Sequence, residues 1–191
     1  MARPYQLKRR AEQQAETRLR IVEAAVDLHS SVGPAATTIS MIADRAGVQR
    51  HTVYAHFPEE RSLFLACSGL AVERSPLPAA SPWLAIADPG ERMTVGLREI
   101  YGWFEANAEL TASVLRDAEH HPLTREISAL RIEPHFLEYR DVLGAGLTRA
   151  EQRAALALAL TFFTWRTLVH DGGLDTEAAV TLMVRAVFCA A

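Results

Sequence analysis

The chain of 191 residues is 49% hydrophobic and 23% charged, an ordinary globular composition that argues against long disorder. No window approaches the roughly 18 consecutive apolar residues of a membrane helix, and no apolar run follows the charges of the N-terminal MARPYQLKRR, so neither a membrane protein nor a secreted one is expected. Cys67 and Cys189 match no metal-ligand spacing and suggest no disulfide framework, which points to the cytoplasm. The net charge of −3 hides an asymmetry: nine Lys/Arg face seven Asp/Glu in residues 1–66, and eleven face sixteen in 67–191. A basic end on an acidic body suits a protein that grips phosphate at one end and repels nucleic acid elsewhere.

Period-3.6 patterning recurs along the chain and sustained period-2 alternation does not, so an all-α fold is expected. Leu19, Val22, Ala25, Val26 and His29 mark a first helix ending at Gly33-Pro34. Ile39, Ile42, Ala43 and Ala46 mark a short second one, with Thr38 as its N-cap and Gly47 just past its end. A third runs from about Gln49 to His56, and Pro58 is placed at the first position of a fourth, with Glu59 and Glu60 in its first turn. The run Ser75-Pro76-Leu77-Pro78-Ala79-Ala80-Ser81-Pro82 cannot lie inside a helix and reads as a connection between domains. The expected division is a basic arm at 1–16, a small helical domain at 17–66 and a larger helical domain at 67–191.

Beyond the connection, Asp88-Pro89-Gly90-Glu91 opens a long helix that buries Met93, Leu97, Ile100, Tyr101 and Phe104. Leu110, Val114 and Leu115 predict a shorter helix ending near His120. Leu123, Ile127 and Leu130 predict another, kinked or broken at Pro134. Thr148 and Glu151 form a capping box for a helix expected to continue to about His170. Its apolar residues fall on two sides: Ala155, Leu158, Phe162, Trp165 and Val169 on one, Leu156, Leu160 and Phe163 on the other. The last helix, Ala178 to Phe188, groups Ala179, Leu182, Met183, Ala186 and Val187, with Val180 and Val184 beside them. Apolar surface on two sides implies burial on two sides, either inside the monomer or in an isologous four-helix pairing with a second copy. The dimer is preferred, with Leu158, Phe162, Trp165, Val169, Leu182, Met183 and Val187 at its interface.

Residues 38–54 have the spacing of a helix-turn-helix. Ile39, Ile42 and Ala43 pack the first helix, Ala46 and Gly47 allow a sharp turn, and Val48 and Val53 anchor the second. Gln49, Arg50, His51, Thr52 and Tyr54 are then left where such a motif meets base edges and phosphates. Arg50 can take guanine O6 and N7, Gln49 can pair with adenine, and the Thr52 methyl can touch a thymine methyl. Thr38, Tyr54 and His56 suit phosphate oxygens.

The run TTISMIADRAGVQRHTVYAHFPEERSLF, preceded by a helix ending HSSVGPAA, resembles the DNA-binding domain of tetracycline-repressor (TetR) family regulators over residues 17–66. The resemblance implies a homodimer on a palindromic double-stranded DNA operator, with a C-terminal domain that dimerises through its last two long helices and binds a small-molecule effector. Repression is the expected outcome. One departure stands out: where the family often has a Lys meeting phosphate at the start of the fourth helix, this chain has Glu59-Glu60 and then Arg61. Arg61 is a substitute contact, and the basic residues Lys8, Arg9 and Arg10 are a second source of phosphate grip. Replacing Glu60 with Lys is expected to tighten operator binding. The acidic pair also keeps open a family member that binds a small molecule or protein but not DNA.

Aromatic residues concentrate between the Pro-rich run and the last helices, and Tyr101, Phe104, Arg116, His120, Tyr139 and Phe162 are the candidate effector contacts. Asp117, His120 and His121 do not make a metal site, because adjacent histidines point to different sides of a helix. No G-x-S-x-G, Cys-His constellation, P-loop or G-x-G-x-x-G opening a helix occurs, so neither an enzyme nor a cofactor is expected.

Overall fold

The computed structural model of the chain describes the backbone of residues 3–190 and the side chains of 8–190; Met1, Ala2 and Ala191 of the sequence lie outside the described residues. Among the described residues there is no strand, as the periodicity predicts. Nor is any helix among them long and apolar enough to cross a membrane. The chain divides into two compact units. The first runs to Arg74 and takes in Ala112–Ser128; the second comprises Ser75–Thr111 with the chain from Ala129 onward. The break after Arg74 lies later than the boundary read at 66/67, because Cys67, near the middle of the fourth helix, is buried in the first core.

In the first unit, α1 (Arg3–Ser31) is one unbroken helix, so the described part of the basic segment at 1–16 continues that helix and is not a separate arm. Its buried face begins at Ile21 and recurs at Ala24, Ala25 and Leu28, the i, i+3, i+4, i+7 spacing of one helical face. It stops where the amides of Val32 and Gly33 both donate to the Leu28 carbonyl, with Gly33 at φ 101°. Helices α2 (Ile39–Ala46) and α3 (Arg50–His56) form the next corner. Helix α4 (Glu60–Arg74) starts two residues later than Pro58, which therefore precedes the helix and is not its first position. Ile42, Ala43, Val53, Phe57 and Leu63 close this core against α1.

Helix α6 (Ala108–Ala118) buries Ser113 and Asp117, whereas the predicted Leu110, Val114 and Leu115 are only half-buried. The buried polar pair has partners. The Asp117 carboxylate accepts from the Ala35 amide at 2.8 Å and from Arg116 Nε at 2.8 Å, and the Ser113 hydroxyl donates to the Ser30 carbonyl at 3.0 Å. The end of α1 and the turn after it thus hydrogen-bond to α6, and satisfied polar atoms replace an apolar face. Helix α7 (Pro122–Gly144) passes unbroken through Pro134. Proline removes one backbone bond, to the carbonyl of Leu130; that residue is 53% exposed rather than buried as predicted.

The second unit opens with the Pro-rich run, which is held down. Trp103 Nε1 donates to the Ser75 carbonyl at 3.1 Å, the Tyr139 hydroxyl donates to the Pro78 carbonyl at 2.6 Å, and Leu77 and Ala80 are buried. A 3-10 turn (Ser81–Ala85) follows, then α5 (Pro89–Ala106), whose N-cap Asp88 accepts from the Glu91 amide at 2.7 Å. Met93, Leu97, Ile100, Tyr101 and Phe104 are all fully buried, as their spacing predicts.

The long helix expected from Thr148 to His170 is in three pieces. Helix α8 (Ala150–Ala159) is capped one residue later than predicted, by Arg149, whose amide donates to Gln152 Oε1 at 3.3 Å. At Thr161 the backbone is extended, and its hydroxyl oxygen accepts from the Thr164 amide at 3.1 Å, opening α9 (Phe162–Trp165). A π-helical turn (Arg166–Asp171) leads to α10 (Thr176–Cys189), capped by Asp175. The interruption frees the Ala159 carbonyl, and the buried Tyr101 hydroxyl donates to it at 3.0 Å. It also re-phases the chain: Leu156 and Leu160 are buried before it and Phe162 and Trp165 after it, while Phe163 turns out to 44% exposure. Two apolar sides in the sequence become largely one buried side in the structure.

Candidate nucleic-acid interface

The corner between α2 and α3 is set by local chemistry. Thr38 is in extended conformation and its Oγ1 accepts from the Met41 amide at 3.3 Å, satisfying an otherwise unpaired donor at the start of α2. Gly47 ends α2 at φ 65° and ψ 39°, a left-handed conformation that glycine adopts without steric cost. Val53 is fully buried and pins α3 to the core, with Phe57 behind it. Around that anchor, Gln49 at the N-cap and Arg50, His51 and Tyr54 on α3 are exposed, the last at 47%.

Thr52 and His56 are half-buried, and Thr38 is exposed beside them in the motif. Thr38 already uses one lone pair for its cap, but its hydroxyl hydrogen can still be donated. Lys8, Arg9 and Arg10 are exposed on α1, where Lys8 lies 4.0 Å from Glu12. Arg61 is exposed, and its guanidinium is bound to Glu126.

Three positions in this unit escape sequence reasoning. Thr17 and Arg20 of α1 line an open cleft of about 450 Å³ together with Asp44, Gly47, Gln49 and Thr52, which brings α1 to the edge of the recognition surface. Arg20 donates to the Ala46 carbonyl at 3.3 Å and so caps the end of α2. Arg18 stacks 4.0 Å from the centre of the Phe57 ring, fixing the end of α3. The only signal for them in the sequence is a pair of arginines, Arg18 and Arg20, immediately before an apolar helical face.

The first unit also holds a buried polar cluster. His29 sits 3.6 Å from Cys67 Sγ and 5.1 Å from the Phe64 ring, which in turn is 5.8 Å from the His121 ring. Burial pushes the His29 imidazole down to about 4; the Asp117 carboxylate opposes the shift and His121 adds to it. Burial pushes the Cys67 thiol up to about 12, so this Cys-His pair holds neutral partners rather than a nucleophile. Among the described residues no cluster of His, Cys, Asp and Glu could hold a metal ion.

The candidate effector residues fall in both units. Tyr101, Phe104, Tyr139 and Phe162 are buried in the second unit, where Phe104 stacks with Phe136 at 6.2 Å and meets Phe162 edge-on at 5.5 Å. Burial raises both tyrosine hydroxyls above the ordinary phenol range, and both donate to backbone carbonyls. Arg116 and His120 are exposed and belong to the first unit; Arg116 bonds Asp117 and the Val32 carbonyl. Trp165, read from the sequence as a dimer contact, has its Nε1 buried beside Phe104 and Phe162 with no acceptor among the described residues.

The proposed dimer residues also separate. Phe162, Trp165, Met183 and Val187 are buried in their own chain and are core; Val169 is half-buried. Leu158 and Leu182 are 57% and 45% exposed, and Phe163, assigned to the other side of its helix, joins them at the surface. On α10 the buried face is Ala179, Val180, Met183 and Val187, with Ala186 outside.

A capped helix, a left-handed glycine and a second helix with an exposed polar face define a helix-turn-helix DNA-binding domain. Residues 21–67 match the sequence model described as bacterial regulatory proteins, tetR family. These residues therefore form a DNA-binding domain of the tetR-family type, and the fold supports DNA-binding transcriptional regulation. No curated protein sequence matches it significantly.

Solved structures share its fold at low identity. The TetR family transcriptional regulator PfmR from Thermus thermophilus is 21% identical over 88% of this chain and 94% of its own, with a TM-score of 0.65. A transcriptional regulator from Rhodococcus sp. RHA1 is 20% identical over 90% of this chain and 96% of its own, TM-score 0.62. A TetR transcription regulator from Haloarcula marismortui is 17% identical over 92% of this chain and 98% of its own, TM-score 0.62.

Proposed function

We propose that the protein is a cytoplasmic homodimeric repressor that leaves a palindromic operator when a small molecule binds its second unit. The observation that carries the DNA side is the exposed row Gln49, Arg50, His51 and Tyr54 on a helix anchored by buried Val53. Arg50 reads guanine, Gln49 adenine, and Thr52 a thymine methyl, while Thr38, Tyr54 and His56 hold phosphates. Lys8, Arg9 and Arg10 add charge along α1. Two subunits present two such helices to successive major grooves, which is why the operator is palindromic.

The dimer reading is supported by the exposed Leu158, Phe163 and Leu182, large apolar side chains on the last helices of the second unit. The effector reading is supported by the aromatic cluster around Phe104 and by Trp165, whose buried indole N–H finds no acceptor among the described residues, one that a ligand oxygen would supply. Effector binding favours a dimer whose recognition helices are wrongly spaced for the operator. Glu59-Glu60 favours a second reading, a dimer that has lost DNA binding.

Selection of random duplexes by the purified full chain tests both. An enriched palindrome that is lost with Arg50→Ala is the expected result. No enrichment at low salt supports the second reading and overturns the first.

A further inference from the structure

Three residues, Phe57, Pro58 and Glu59, separate the recognition helix from α4, so the first turn of α4 adjoins the end of α3. Arg61 is the second residue of α4 and directly follows Glu59 and Glu60 in the sequence. Its guanidinium does not stand open to a ligand: Nε donates to Oε1 of Glu126 at 2.8 Å. Both side chains keep about half of their surface in water, 52% for Arg61 and 51% for Glu126. Glu126 stands on α7, in the stretch Ala112–Ser128 that belongs to the first unit, while the same helix from Ala129 onward belongs to the second.

We propose that Glu126 is an acidic latch on Arg61, and that operator binding exchanges this carboxylate for a DNA phosphate. The inference rests on the DNA-binding reading above. Carboxylate and phosphate oxygens compete for the same planar guanidinium fork, so Arg61 serves one of them well at a time. The pair is solvated and screened, which makes the latch weak enough to open: half-exposed pairs of this kind shift an equilibrium about two- to fivefold. Because α7 continues into the second unit, the latch sits on a helix that an effector bound there could move. Regulation would then act on the phosphate grip as well as on the spacing of the recognition helices.

The test uses the full chain with a fluorescein-labelled duplex of about 30 base pairs and mixed sequence, titrated by anisotropy from 50 to 200 mM salt. Wild type, Glu126→Gln, Arg61→Gln and the double variant are compared. Glu126→Gln is expected to tighten binding about two- to fivefold at low salt, and this gain should vanish in the Arg61→Gln background. In the Glu126→Gln background, Arg61→Gln should flatten the dependence of log K on log salt by about 0.9, the signature of one phosphate no longer neutralised. An equal gain with and without Arg61 is a long-range charge effect and overturns the latch, as does an unchanged slope or an unchanged affinity. Absence of binding by all four proteins at the lowest salt instead overturns the DNA-binding reading itself.

Discussion

The α2–α3 corner and the α8–α9 interruption are both places where a helix stops and another begins within a few residues. At the first, the chain spells out the stop: Thr38 caps, Gly47 turns left-handed, and Val53 re-enters the core. At the second, no glycine or proline marks the break, and Thr161 alone caps the new helix inside the apolar run Leu156–Trp165. The corner follows from local preference, and the interruption from what the core will accept. A continuous helix would have placed Phe163 on the buried side with Leu156 and Leu160. The break instead brings in Phe162 and Trp165 and hands the freed Ala159 carbonyl to Tyr101. The first region presents an exposed polar face on a helix pinned by Val53; the second has irregular geometry and, among the described residues, an indole N–H without an acceptor, features that mark sites able to change.

The contrast can be broken by mutation. The largest effect is expected at Phe104, fully buried among Tyr101, Phe136, Phe162 and Trp165: Phe104→Ala should cost about 3–5 kcal/mol, read from chemical unfolding. Phe163→Ala, one of the exposed aromatics, should cost far less in the subunit but weaken self-association in sedimentation. A large loss for Phe163→Ala with the oligomer intact would mean that it belongs to the core.

The pH dependence of the first unit is expected next. The unfolded chain protonates His29 near 6.5, and the folded chain only near 4. The unfolded state therefore binds more protons between these values, so the stability is complete above about pH 6.5 and is lost as pH falls toward 4. The total is about 3 kcal/mol, at about 1.4 kcal/mol per pH unit. His29→Gln should flatten unfolding midpoints across that window, and an unchanged slope would assign the acid sensitivity elsewhere.

Two glycines sharpen the comparison on a smaller scale. A Cβ on Gly33 would lie 2.2 Å from Arg116 and 2.6 Å from Asp117, at φ 101°. Gly33→Ala should cost about 1–3 kcal/mol and loosen the bond between Asp117 and the Ala35 amide. Gly47, at φ 65°, has open space around it, so Gly47→Ala carries only the backbone cost of about 1 kcal/mol. Thermal melts of the pair separate crowding from backbone strain. Arg50→Ala should leave stability untouched and cost about 1–3 kcal/mol of discrimination at one operator base, measured by competition with mismatched duplexes.

The all-α class, the Asp88 cap, the buried face of α5 and the whole α2–α3 corner were legible because each rests on residues close together in the chain, where caps, glycines and spacing act directly. From those residues alone the recognition row could be placed on the outside of α3. Partnership across the sequence was not legible. Nothing near Ser113 or Asp117 announces that their face meets the end of α1, and nothing near Arg61 announces Glu126, which follows 65 residues later. The same holds for Phe162, Trp165, Met183 and Val187: the sequence says that they are apolar, and only the packing decides that they line their own core and leave Leu158, Phe163 and Leu182 outside. Periodicity tells a side chain which neighbours on its own helix it shares a face with. What that face meets is decided by burial and hydrogen bonding summed over the whole fold.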